Sequence, residues 1–97
     1  MNRTEHLLAC LAEEAAEVAQ AANKALRFGL AHEHPKIGMS NARHLAVEIN
    51  DLLAVAALLE DCGALLPISM VGGIEAKRAK VMRYMEVAEQ LGALDAS

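Results

Sequence analysis

From about Asn2 to Phe28 nothing in the chain stops a helix, and apolar residues recur at helical spacing throughout. Leu8, Leu11, Ala15, Val18, Ala22 and Ala25 step by three and four, which marks a core stripe along one side. Asn2 with Glu5 three positions on has the form of a capping box, so the start falls at Asn2 or Thr4, and Gly29 supplies the C′ position. A second run, capped by Ser40 or Asn41, extends to about Cys62 with Gly63 as its stop. Its apolar face is Leu45, Ile49, Leu52, Ala56 and Leu59. A third run spans about Ile74 to Leu91, after a connector with Pro67, paired Gly72 and Gly73, and room for a short apolar turn at Leu65 to Met70. Three such runs make an all-α bundle the expected fold.

Composition agrees. Hydrophobic residues are 55% of the 97 but aromatic ones only 2%, so the core must come from Ala, Leu, Val, Ile and Met, which suits closely packed helices better than a β-sandwich. A chain of this length is one expected domain, 1–97, near the lower limit for burying a workable core alone. Small alanines make burial against further copies worthwhile, so at least a homodimer is expected. The net charge of −4 argues against nucleic acid or an anionic membrane as a general partner, since phosphate-backbone binding needs a basic surface. Cys10 and Cys62 lack metal-ligand spacing and are expected as buried, reduced thiols. With no signal pattern and no apolar run of the roughly 20 residues that span a bilayer, the expected compartment is the cytoplasm.

Against this apolar background stand two acidic pairs. At about 100° per residue, Glu14 and Glu17 project about 60° apart on one helix, as do Glu48 and Asp51 on the next. Facing each other, the two helices would aim four carboxylates at one small volume. Crowded carboxylates repel and resist desolvation, so the arrangement calls for a cation. Hard oxygen donors select Mg²⁺, Mn²⁺ or Ca²⁺. Glu48 is the most telling of the four, because it falls inside the apolar face between Leu45 and Leu52, where an unpaired charge is costly. Glu13 lies further round. His44, one turn before Glu48, suits either a role beside that carboxylate or a surface or helix-end position.

Between the first two helices, Gly29 to Ser40 loses periodicity and carries His32, Glu33 and His34. A loop of this length is longer than most helix connections; a solvated segment, a metal-binding segment and a substrate cover are the readings it admits. Basic residues gather at Lys24 and Arg27 and between Lys77 and Arg83, with Lys77, Lys80 and Tyr84 at helical spacing. That distribution suits a small polyphosphate, or simply a solvated basic face.

The acidic pairs carry a resemblance. Glu13-Glu14-Ala-Ala-Glu17 followed, thirty residues on, by Glu48-Ile49-Asn50-Asp51 matches the EExxE and ExxD pattern of the MazG-like branch of the all-α nucleoside triphosphate pyrophosphatases. The segments LAEEAAEVAQAANKALRFG, EINDLL and KRAKVMRY resemble especially the small single-domain versions common in phages and some bacteria. The likeness covers about Leu7 to Tyr84. It implies a helical bundle completed by oligomerisation as a dimer or tetramer. The implied reaction is Mg²⁺-dependent hydrolysis of a nucleoside triphosphate, often a deoxynucleotide, to the monophosphate and pyrophosphate. It further implies Glu14, Glu17, Glu48 and Asp51 as metal ligands, with Glu13 binding a further metal or orienting the attacking water. The spacing between motifs is at the long end, and the aromatic residues that clasp the base in some relatives are reduced to Phe28 and Tyr84.

The chemistry is coherent on its own terms. An all-carboxylate site repels a triphosphate unless divalent ions bridge protein and phosphate oxygens. Lys24, Arg27, Lys77, Lys80 and Arg83 are the cations available for the β and γ phosphates. Ser40, Ser69 and Ser97 lack a recognisable base motif, and Cys10 has no cationic neighbour, so a covalent nucleophile has no support. Three rivals remain: a phosphoribosyl-ATP pyrophosphatase with the same metal logic; a carboxylate-bridged di-iron bundle, whose Glu-x-x-His pairs are missing at Glu14 and Glu48; and a non-catalytic helical dimer with solvated acidic faces.

Overall fold

The computed structural model describes residues 1–95, so Ser97 lies outside them. Those residues are all-α: α1 (Arg3–Phe28), α2 (Asn41–Asp61), α3 (Ile68–Val71) and α4 (Ile74–Gln90), with no strand among them. The chain divides into two compact units, Met1–Leu66 and Pro67–Ser97.

The first unit is an antiparallel hairpin of α1 and α2. Both expected caps form at its helix starts. The Asn2 side chain accepts from the Glu5 amide at 2.8 Å while the Glu5 carboxylate accepts from the Asn2 amide at 3.4 Å, and Ser40 Oγ accepts from the Arg43 amide at 3.2 Å. At the far end of α1, Gly29 takes φ 96°, a conformation side-chain-bearing residues rarely adopt, and its amide bonds the Ala25 carbonyl. Buried Asn41 closes the hairpin by donating from Nδ2 to the Gly29 carbonyl at 2.9 Å, while its amide bonds the His32 carbonyl. Glu33 and Ser40 form an isolated bridge within the connecting loop.

The inward stripe of α1 differs from the expected one. Leu7, Leu11, Glu14, Val18, Ala21 and Ala25 face inward, whereas Leu8, Ala15 and Ala22 are exposed. Alanine occupies so much of α1 that apolar pattern alone allows both registers; the observed one carries Glu14 into the packed side. On α2, Asn41, Leu45, Glu48, Leu52, Val55, Ala56 and Leu59 turn inward, while Ile49, expected in the core, is 40% exposed. Buried apolar side chains among the described residues are Ala21, Ala25, Ala56 and Leu59. Cys10 is half-buried and Cys62 exposed, both as free thiols, so the expected burial fails at Cys62. Being one residue past α2, Cys62 has left the inward stripe before the chain turns at Gly63.

In the second unit a one-turn helix, α3, starts at Ile68, three residues later than the apolar turn expected at Leu65 to Met70, and Gly72 and Gly73, both at positive φ, lead into α4. The long terminal helix ends at Gln90. Among the described residues no helix is long and apolar enough to cross a membrane.

Candidate metal centre

Glu14 and Glu17 occupy successive turns of α1, and Glu48 faces them from α2. Each is half-buried, and each offers a carboxylate oxygen within 4.8 Å of those of the other two. Oxygens bound to one divalent ion at about 2.0–2.5 Å lie no more than about 4–5 Å apart, so the trio fits a single ion. A second observation concerns satisfaction. Glu14 Oε2 and Glu48 Oε2 are both buried from solvent without a hydrogen-bond partner. Buried polar atoms are ordinarily paired, and a cation between these oxygens would supply what the protein does not.

Electrostatics point the same way. The Glu17 carboxyl is raised above its usual value of 4.5, first by a hydrogen bond with Glu48, then by the charge of Glu14, by burial, and by the charges of Glu48 and Glu13. Nearby carboxylates and burial both disfavour the charged form of Glu17, and a divalent cation among the three would relieve that cost. His44 approaches from one turn earlier on α2, its Nε2 3.0 Å from Glu48 Oε1.

Not every expected ligand joins the trio. Asp51, one turn beyond Glu48, is exposed and outside the group, and Glu13 is exposed on the outer side of α1. Lys24 and Arg27 lie further along α1, where with Gln20 and Asn23 they line a depression of about 480 Å³, within the range of small-molecule clefts. Gln20 and Asn23 had no motif to mark them; their helical spacing to Lys24 and Arg27 was the available signal. At the end of that helix Arg27 lies over the Phe28 ring, 5.2 Å from its centroid, and Phe28 meets His32 at 5.8 Å. In the second unit, Lys80, Arg83 and Tyr84 line one depression of α4, with Lys80 Nζ 5.9 Å from the Tyr84 ring centroid, and Lys77 lines another with Arg78, Val81 and Met82.

Fold and site together define an all-α chain with a carboxylate-lined, cation-sized centre on a helical hairpin. No protein-family model matches the chain, and neither the curated proteins nor the solved structures yield a match.

Proposed function

We propose that the chain is a MazG-like nucleoside triphosphate pyrophosphohydrolase that binds Mg²⁺, with Mn²⁺ as substitute, and acts in the cytoplasm of a bacterium or phage-infected cell. The observation that carries the reading is the convergence of Glu14, Glu17 and Glu48, two of them with buried, unpartnered oxygens. These residues would hold the ion, and Asp51, exposed one turn along α2, would offer a further carboxylate. Mg²⁺ held there would neutralise polyphosphate charge and lower the pKa of a bound water. A water oxygen bonds the α-phosphorus as the bond from phosphorus to the bridging oxygen breaks; the resemblance assigns Glu13 to orienting that water or binding a further metal, and its exposed side chain lies outside the trio. The proton passes to a carboxylate, and nucleoside monophosphate and pyrophosphate leave. Lys24 and Arg27, further along α1, supply cations for the β and γ phosphates; α4 by itself carries further cations in Lys77, Lys80 and Arg83 and an aromatic face in Tyr84.

Oligomerisation belongs to the same proposal. A second apolar stripe, Leu8, Ala12, Ala15, Ala19, Ala22 and Leu26, repeats on α1 at the spacing of the buried one, yet is exposed. Exposed Ala42, Ala46, Ile49 and Leu53 form its counterpart on α2, and helical phase puts both on the hairpin flank away from Glu17 and His44. A two-stripe hairpin with so few buried side chains gains most by packing that flank against another copy as a homodimer or homotetramer.

Pyrophosphate release from the full chain, measured across canonical and modified nucleoside triphosphates with and without Mg²⁺, tests the activity. Glu48→Gln is expected to abolish turnover with helical content intact; turnover retained at saturating Mg²⁺ contradicts the proposal.

A further inference from the structure

We infer that His44 is a positioning residue for Glu48, fixing one carboxylate oxygen so that the other is presented to the cation; this rests on the metal-centre reading above. The two side chains stand at i and i+4 of α2, so the contact is made within one helix and does not depend on how α1 is seated. Their environment sets them apart from an ordinary surface pair. His44 and Glu48 are 20% and 15% exposed at 3.0 Å, whereas the exposed pair Arg78–Glu75, at 3.2 Å, is 73% and 85% exposed. Solvent competes away the order of the second pair but has little access to the first.

A neutral imidazole suffices. With its hydrogen on Nε2 it donates to Glu48 Oε1, and Nδ1 then meets no partner on the protein. A glutamate has three side-chain torsions to settle, and anchoring Oε1 removes most of that freedom. The remaining oxygen, Oε2, is buried with no partner of its own. The docking of α2 on α1 puts Glu48 near Glu14 and Glu17; the imidazole determines which way its carboxylate plane is turned. Outer partners that orient metal-binding side chains typically change affinity by about 10- to 100-fold when removed.

The test uses the full chain and Mn²⁺ alone as probe, with free Mn²⁺ followed by electron paramagnetic resonance. Two variants without a donor, His44→Leu and His44→Met, are compared with His44→Gln, whose side-chain amide can still donate one turn along the helix. The expected result is Mn²⁺ affinity at least tenfold weaker in the donor-less variants and largely recovered in H44Q, with unchanged helical circular dichroism in all. In parallel, the Mg²⁺ concentration for half-maximal turnover rises by a similar factor while kcat at saturating Mg²⁺ changes less than threefold. Wild-type affinity in H44L or H44M, or H44Q as weak as either, overturns the role of His44. A wild-type chain that binds Mn²⁺ no better than Glu48→Gln overturns the metal centre itself, and this inference with it.

Discussion

Replacing Glu48 with Gln separates a metal centre from ordinary packing, because the two give opposite signs in the absence of metal. Glu14 and Glu48 place carboxylate oxygens within 4.8 Å of each other. Two unit charges at that distance repel by about 1–3 kcal/mol for an effective dielectric between that of water and a protein surface. The glutamine keeps the volume and retains an oxygen that can accept from His44, but removes the charge. Metal-free E48Q is therefore expected to be more stable than wild type by about 1 kcal/mol or more, which raises Tm by about 4–8 °C for a domain of this size. Mg²⁺ reverses the order. At a hundredfold excess over its Kd the ion stabilises wild type by about 2.7 kcal/mol and leaves the variant unmoved. Differential scanning calorimetry in EDTA and in Mg²⁺, at one fixed chain concentration, reads both effects. A lower Tm for E48Q in EDTA, or an equal Mg²⁺ shift in both proteins, refutes the reasoning.

Other expectations follow from the same geometry. The raised Glu17 carboxyl binds a proton more tightly folded than unfolded, so its contribution to metal-free stability is present below the ordinary value of 4.5 and lost as pH rises through the folded one; denaturant melts of wild type against Glu17→Gln across that window should show this fall, and a contribution that grows with pH contradicts it. Mn²⁺ affinity should rise over the same window as the Glu17 carboxyl loses its proton. Lys77→Ala and Lys80→Ala are expected to weaken triphosphate binding several-fold with Mn²⁺ affinity unchanged, as read by calorimetric titration; equal loss of both makes α4 structural. Leu8→Glu combined with Leu53→Glu should reduce the sedimenting mass to that of one chain, and an unchanged mass places the subunit contact elsewhere.

Much of the local structure was legible because local chemistry dictates it. Asn2 with Glu5, Ser40, Gly29 and Gly63 each bound a helix through groups only a few residues away, and the structure places them as expected. The buried register of α1 was not legible, because alanines on several sides give pattern recognition equally good stripes, and only the docking of α2 chooses between them. That choice carries Glu14 inward and leaves Leu8 out. Glu48 could be read from sequence since it interrupts an apolar face, and Glu14 and Glu17 from their spacing. Asp51 shares that spacing with Glu48 but sits further from the line where the helices meet, and is exposed. The spacing of His44 from Glu48 allowed their contact, but a lone histidine near a helix start is equally at home in solvent; depth in the hairpin decides it.

The most direct measurement is anomalous scattering from crystals of the full chain soaked in Mn²⁺. The expected result is a peak about 2.0–2.5 Å from carboxylate oxygens of Glu14, Glu17 and Glu48 together, persisting when a non-hydrolysable triphosphate is added and then also touching its phosphate oxygens. A chain saturated with Mn²⁺ that shows no peak there, with the three side chains turned apart into solvent, contradicts the metal centre and the hydrolase built on it.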